Sequence, residues 1–339
     1  MRFYLDNDNL VAYDNHMSRF RLFKVNDNLA AMISGKALAD IPYAKECCRE
    51  EFSRFCENIN CCNSVDILNI DWLLTSRCNL NCVYCYADDI KGSLSFDKAY
   101  DICDTINNSS VLHLTLSGGE PMLFPDIDRI IRRIDSDISI TIDTNGTFPE
   151  IIRKHARLFR DRDIIFRITI DSIDNMVLSS LRPSRTKEDY FQKIDETISF
   201  LIENNINVMV HSVVSQTNKD RLSFLADYLL EKRIYRWNLN KVLVVGDCDT
   251  DGIEISDEDF VFVTNEIIKS YGEKIDIEAS YTVFTRSVLI ITPSGDMYTH
   301  DYLNGQRIQI ESDCIQKNTI FDYLDKKNHY LEYFRHYKG

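Results

Sequence analysis

From residue 66 to about 247, short apolar runs alternate with longer stretches whose apolar residues recur at helical spacing. Residues 66–75, 111–116, 138–143, 164–170, 207–214 and 235–245 predict strands. Between them, Ser95 caps a predicted helix that runs to about Asn107, and Pro125 or Asp126 opens the next. Residues 188–204 set Phe191, Ile194, Ile198, Leu201 and Ile202 on one helical face. Six strand–helix units predict an α/β fold, a parallel sheet with right-handed crossovers, either curved into a barrel or left open. In such sheets the chemistry sits where the loops leave the C-terminal strand ends.

The pattern changes on both flanks. Residues 3–5, 10–13 and 20–25 are strand-like and separated by Asn/Asp turns, and a helix begins at 29–33 with Asn26 or Asn28 as its cap. Residues 1–65 thus read as a small α+β element, either a cap on the main domain or a strand edge that docks an extended peptide. After the main domain at 66–247, residues 248–339 form an α+β extension. It holds a helix from Asp257 to about Tyr271 and a hairpin whose strands, 287–292 and 297–299, meet at Pro293-Ser294-Gly295-Asp296. Helical pieces at 320–327 and 330–337 close the chain.

Composition narrows the possible partners. A net charge of -14 argues against a nucleic-acid or anionic-membrane partner, and leaves room for a small nucleotide in a local basic pocket. No apolar run reaches the roughly eighteen residues of a membrane span. Residues 1–8 lack the basic and apolar regions of a signal peptide. The eleven cysteines therefore read as cytoplasmic thiols or metal ligands, not as disulfides.

Three of them dominate the chemistry. Cys78, Cys82 and Cys85 are separated by three and then two intervening residues, directly after the first predicted strand. Structural zinc sites are normally closed by four protein ligands. Three thiolates on a compact loop suggest an iron–sulfur cluster with one iron left open. Ser117-Gly118-Gly119-Glu120-Pro121 ends the second strand. Its glycines let a ligand approach the backbone, and Glu120 is able to accept from an amino group. Thr144-Asn145-Gly146-Thr147 ends the third strand as a turn, and Asp171-Ser172 ends the fourth. A hydroxyl at Ser172 and a guanidinium at Arg182 or Arg185 suit a ligand with hydroxyls and a carboxylate. His211, within the fifth strand, reads as a satisfied core histidine or a catalyst. Cys47, Cys48, Cys56, Cys61 and Cys62 read as buried thiols or a second metal site.

The spacing Cys78-x-x-x-Cys82-x-Tyr84-Cys85, followed by Gly118-Gly119-Glu120-Pro121, resembles the radical S-adenosylmethionine (SAM) superfamily. The resemblance covers roughly residues 66–247 and implies a partial (β/α)6 barrel. It implies one 4Fe–4S cluster on Cys78, Cys82 and Cys85, with the amino and carboxylate groups of SAM on the open iron. By position Gly118, Gly119 and Glu120 match the motif for the SAM amino group, with Tyr84, Pro121 and Asn145 around it. Ser172 matches a ribose contact, Arg182 a carboxylate contact, and Ser212 with Val213 or Val214 an adenine wall. The implied reaction is reductive cleavage of SAM to a 5′-deoxyadenosyl radical, which takes hydrogen from a substrate C–H bond. Flavodoxin or ferredoxin is the implied electron donor.

Three substrate readings follow. The N-terminal element resembles the peptide-recognition element of enzymes that mature ribosomally made peptides. Ile291–Thr299 resembles the start of a SPASM or Twitch extension, without the cysteine such extensions have where His300 stands. Only Cys248 and Cys314 remain near it, so no auxiliary cluster is expected. This reading predicts a precursor-peptide substrate and a cross-link, epimerisation or related C–H change. Residues 235–243 and 254–260 and the stretch Ser212-Val213-Val214 to Asn218 resemble viperin, a nucleotide dehydratase, as does the lack of auxiliary-cluster cysteines; Arg182, Arg185, Lys187, Arg236 and Lys241 would then gather on a triphosphate. A non-enzymatic electron carrier or sensor would need the cysteines but not the Gly118–Pro121 turn.

Overall fold

The computed structural model describes residues 3–6, 9–14, 19–24, 45–46, 69–87, 90–109, 111–185, 190–242, 252–280, 289–300 and 307–310. The expected N-terminal and C-terminal helices, Lys187, Cys248, Cys314 and the five cysteines from Cys47 to Cys62 lie outside the described residues. Two sheets are present. Strands β1 (Phe3–Asp6), β2 (Asn9–Asp14), β3 (Arg19–Lys24) and β4 (Lys45–Glu46) form an antiparallel sheet in chain order.

The larger sheet has ten strands. Its centre is β5 (Asn69–Thr75), β6 (His113–Gly118), β7 (Ser139–Thr144), β8 (Ile165–Thr169), β9 (Asn207–Val214) and β10 (Arg236–Lys241), each parallel to the next. This is the α/β, open partial (β/α)6 barrel that the alternating pattern and the motif resemblance predict. Six helices fill the crossovers: α1 (Phe96–Asn107), α2 (Ile127–Arg133), α3 (Pro149–Asp161), α4 (Asn175–Leu181), α5 (Phe191–Glu203) and α6 (Leu222–Glu231). Ser95 caps α1 by accepting from Lys98 N, as its sequence predicts. Strand β6 runs to Gly118 rather than stopping at Leu116, because pairing with β5 continues to Gly118 opposite Thr75. Helix α4 was not expected; Asp174 caps it by accepting from Met176 N and Val177 N.

Beyond β10, α7 (Asp257–Tyr271) leads to β11 (Asp276–Ser280), an unexpected further parallel strand on that edge. The predicted hairpin is present as β12 (Leu289–Ile291) and β13 (Met297–His300), extended by β14 (Arg307–Ile310). It does more than fold on itself. Strand β12 also pairs in parallel with β5, so the C-terminal extension continues the barrel sheet on the other edge. Lys98 Nζ holds its turn by donating to Ser294 O at 2.6 Å.

Alternate residues of a strand point to opposite faces. On one face Ile70, Trp72, Leu74, Leu116, Ile142, Phe166, Ile168, Val210 and Leu239 share a single core with Ile106, Ile130, Phe159, Ile198, Leu201 and Leu229 of the helices. Edge-on packing of Phe159 against Phe166, with centroids 5.1 Å apart, is part of that core. The other alternation is largely polar: Asp71, Thr115, Ser117, Thr141, Asp143, Arg167, Thr169, His211 and Asn238 share it with Leu73, Ile165 and Met209. A sheet packed on helices at both faces would be apolar on both. The polar alternation instead marks the inner face of a curved sheet.

Candidate functional site

The cysteine loop leaves the C-terminal end of β5 and is strapped from two sides. On one side, Asn81 N donates to Pro183 O at 2.8 Å and Val83 N to Leu181 O at 3.0 Å. Arg185 N returns to Asn79 O at 3.0 Å, and Leu80 bridges Ser184 as in an antiparallel pair. The strap is the segment that follows α4. On the other side, Gly119 N donates to Thr75 O at 2.7 Å and Glu120 N to Arg77 O at 2.8 Å.

That second contact explains the glycines. A Cβ on Gly118 would stand 2.5 Å from Thr75 O, and one on Gly119 would stand 2.4 Å from Arg77 O. Gly118 also takes φ +127°, where side chains are strained. The sequence suggests an approach by a ligand; the structure shows an approach by the base of the cysteine loop itself. Pro121 then opens a short 3-10 turn, Pro121–Leu123.

Glu120 is fully buried, and its carboxylate accepts from Thr144 Oγ1 (2.7 Å), Met122 N (3.1 Å) and Asn145 N (2.8 Å). Burial pushes its carboxyl up to about 7 against these donors. Asn145 carries the contact back to the cysteines: its Nδ2 donates to Asn79 Oδ1 at 2.8 Å and stands 3.8 Å from Cys78 Sγ. Strand ends β5, β6 and β7 are thereby fixed to one loop.

A second group holds Tyr84, the aromatic between the last two cysteines. Its hydroxyl donates to Asp171 Oδ2, and Val213 N donates to Asp171 Oδ1 at 2.8 Å. Arg182 is buried; its Nη1 donates to Thr169 O and its Nε stands 4.0 Å from Asp171 Oδ2. The positive charge of the guanidinium acts on the Cys82 thiol and pulls it down against the effect of burial. Asn218 Nδ2 braces the corner by donating to Asp171 O and Val213 O, both at 2.9 Å. Ser172 is buried, and its Oγ accepts from Asp174 N at 3.0 Å at the start of α4. Ser212 donates to Ile170 O and accepts from Trp237 Nε1 at 2.9 Å. Both hydroxyls are thus engaged within the protein.

The donor set fits a sulfur-ligated cluster. The three cysteines are half-buried on one loop, and burial pushes Cys78 and Cys82 up to about 11, so a metal would displace a proton there. Leu80 N, 3.4 Å from Cys78 Sγ, and Asn145 Nδ2 aim N–H groups at that sulfur, and the Arg182 charge favours the Cys82 thiolate. No three His, Cys, Asp or Glu side chains among the described residues are close enough to share one ion. A multi-iron cluster does not need that convergence, because each thiolate takes its own iron.

Below the loop lies the polar inner face. Ser117 Oγ donates to Asp71 Oδ1, and Arg167 Nη2 to Asp143 Oδ2. Burial, with the Asp143 charge second, pushes Asp71 up to about 7. His211 is on this face, and burial holds it down at about 3, hence neutral. His113 is fixed deeper, its ring nitrogens 2.7 Å from Asn69 Oδ1 and 2.9 Å from Thr141 Oγ1. Tyr86, directly after Cys85, packs with Leu73, Ile90, Ile290 and Tyr298, so the hairpin forms a wall beside the cysteine loop.

The structure brings Cys78, Tyr84, Cys82, Gly118, Gly119, Glu120, Asn145, Arg182 and Val213 into one connected network. Arg185 is exposed and joins it through its backbone. Sequence reasoning missed Asp171, Asp71, Asp143 and Arg167 as parts of the site. Their signal was present: Ser139-Ile140-Thr141-Ile142-Asp143 and Ile165-Phe166-Arg167-Ile168-Thr169 alternate along their strands.

Residues 72–229 match the profile of the radical SAM superfamily. Among curated proteins, a GTP 3′,8-cyclase of Staphylococcus carnosus (strain TM300) is 26% identical over 223 residues, covering 61% of this chain and 62% of that protein. A probable GTP 3′,8-cyclase of Methanothermobacter thermautotrophicus is 25% identical over 201 residues, covering 56% and 62%. The chain thus spans less than two thirds of the length of these relatives. Among solved structures, native anSMEcpe with bound AdoMet and Kp18Cys peptide superposes with TM-score 0.64 at 16% identity, covering 78% of this chain and 83% of that one. Streptococcus suis SuiB bound to precursor peptide SuiA gives TM-score 0.64 at 13% identity, covering 95% and 88%. These likenesses establish a shared fold.

Proposed function

We propose that residues 72–229, which match the radical SAM profile, form the radical SAM domain of an enzyme that uses a 4Fe–4S cluster and SAM, and that its substrate is a peptide. When bound, the cluster and SAM supply a radical able to take hydrogen from a C–H bond. The chain supplies everything around that event. Cys78, Cys82 and Cys85 hold the cluster. By the family resemblance, Gly118, Gly119 and Glu120 would face the SAM amino group, Arg182 its carboxylate, Ser172 the ribose, and Ser212 with Val213 the adenine side, with Ser172 and Ser212 exchanging an internal hydrogen bond for a SAM contact. The polar inner face orients the substrate, and the hairpin wall excludes water.

The observation that carries the peptide reading is the charge balance of the barrel. A triphosphate needs several uncompensated cations. Here Arg167 is bound by Asp143, and Arg236 by Asp276 (3.2 Å) and Glu278 (2.6 Å). Lys241 is bound by Asp257, and Arg182 lies beside Asp171. Of the described cations that a triphosphate would call on, only Arg185 has no carboxylate partner recorded within 4 Å. A peptide chain makes no such demand. The solved structures of the same fold with bound peptides agree with this choice. A precursor peptide, an electron donor such as flavodoxin or ferredoxin, and C–H cross-linking or epimerisation complete the proposal.

A nucleotide reading has its own support, since the curated relatives are named GTP 3′,8-cyclases. The test is anaerobic incubation of reconstituted enzyme with SAM, reductant and either a candidate precursor peptide, GTP or CTP. Mass spectrometry follows each product and 5′-deoxyadenosine. The peptide reading expects peptide-dependent 5′-deoxyadenosine and a changed peptide mass. Stimulation by a nucleoside triphosphate, with the peptide unchanged, would replace it with the nucleotide reading.

A further inference from the structure

One buried carboxylate joins four separate pieces of the site. Asp171 has no exposed surface. It stands just past β8, and its two oxygens serve different partners. Oδ1 takes Val213 N at the end of β9, and Oδ2 takes the hydroxyl of Tyr84 on the cysteine loop. Arg182, just past α4, has its Nε 4.0 Å from Oδ2, and its charge acts on Cys82. Asn218 fixes the carbonyl of the same residue. Donors and a cation surround Asp171, which is the environment a carboxylate anion needs when buried.

We infer that Asp171 is a positioning residue for the cluster: it fixes the Tyr84 ring between two cluster cysteines and pairs with the Arg182 guanidinium beside the loop. The inference goes beyond the substrate proposal and holds for either substrate class. Its physical basis is the shortness of the connection. Tyr84 lies between two cluster ligands in the chain, so anchoring its hydroxyl limits how far the backbone from Val83 to Cys85 can shift. Burial pushes the Asp171 carboxyl up, and the Arg182 charge, the Tyr84 hydroxyl and Val213 N oppose that, so these groups favour its anion beside the cation that acts on Cys82. Hydrogen bonds and charge at the sulfurs set the potential of an iron–sulfur centre. Loss of a negative charge next to Cys82 favours the added electron, which moves the midpoint potential upward.

A merely structural carboxylate would affect folding and leave the spectroscopy of the loaded cluster alone. The test therefore uses reconstituted holoenzyme of wild type, Asp171→Asn, Tyr84→Phe and the double variant. Asp71→Asn serves as a control, a buried carboxylate on the inner face away from Cys82. Iron content, the EPR spectrum of the reduced cluster with and without SAM, and the midpoint potential are read for each. Asp171→Asn is expected to bind iron fully, shift the potential upward and change the EPR spectrum. Tyr84→Phe is expected to shift both in the same sense by less. The double variant should match Asp171→Asn, because both changes cut one connection. Purely additive shifts, or shifts equal to that of the Asp71→Asn control, would overturn the inference. If Asp171→Asn does not fold, Tyr84→Phe decides alone: an unaltered spectrum and potential would overturn it.

Discussion

The two faces of the barrel sheet share one backbone and differ in every other respect. Toward the helices, Ile70, Trp72, Ile142, Phe166 and Val210 are fully buried among apolar neighbours. Toward the interior, one residue along each strand, Asp71, Asp143, Arg167 and His211 carry charge or hydrogen-bonding groups. The first face supplies stability through apolar burial, at about 25 cal/mol per Å². The second spends stability, since a buried polar group is tolerated only when its partners are in place. A strand with period two lets one chain segment do both, because neighbouring residues never face the same way. Damage should therefore separate cleanly: fold from one face, chemistry from the other.

The sharpest break is at the cysteine loop. Cys82→Ala should abolish SAM cleavage and iron loading to four per chain, while far-UV circular dichroism stays that of wild type. Retention of both activities would remove the cluster assignment. Next comes the helix-facing side. Phe166→Ala should lower unfolding free energy by about 3–5 kcal/mol in urea titrations, with the cluster spectrum of the folded fraction intact. Gly119→Ala tests the joint between the faces. Its Cβ would meet Arg77 O at 2.4 Å, so an overpacking cost of about 1–3 kcal/mol is expected, together with weakened iron retention. A variant that is destabilised but loads iron normally would place the glycine with the fold alone.

The smallest effect is a slope. The Asp71 carboxyl is at about 7 in the folded chain, above its ordinary 3.8, through burial first and the Asp143 charge second. A raised carboxyl binds its proton more tightly when folded. Its contribution is thus fully present below about pH 4 and is lost as pH rises through about 7. Asp71→Asn should remove that part of the decline, at most about 1.4 kcal/mol per pH unit. Thermal melts at several pH values between those limits check it.

Much of this division could be read from residues alone, and the reason is local. The six strands, the Ser95 cap and the limits of α7 follow from periodicity and capping, which act over a few residues. The cysteine spacing and Gly118-Gly119-Glu120 are equally local. What escaped depends on distant partners. β11 is short and half polar, and only its pairing with β10 identifies it. Asp171 reads as a strand-end acid until Tyr84, Val213 and Arg182 are seen around it. The glycines were legible as a close approach, but the approaching group, the backbone at Thr75 and Arg77, was not.

The pairing of β12 with β5 gives the order of synthesis a physical meaning. Ile70, Asp71 and Trp72 pair with Leu289, Ile290 and Ile291, which leave the ribosome long after them. Until then, the strand that carries the cysteine loop has one open row of backbone donors and acceptors, the kind of edge that recruits other chains. Pairing across so long a stretch is also slow. A nascent chain therefore holds its most reactive loop on its stickiest edge for most of translation. Chaperone demand, inclusion-body formation and sensitivity to expression temperature should all trace to that interval rather than to the stability of the finished barrel.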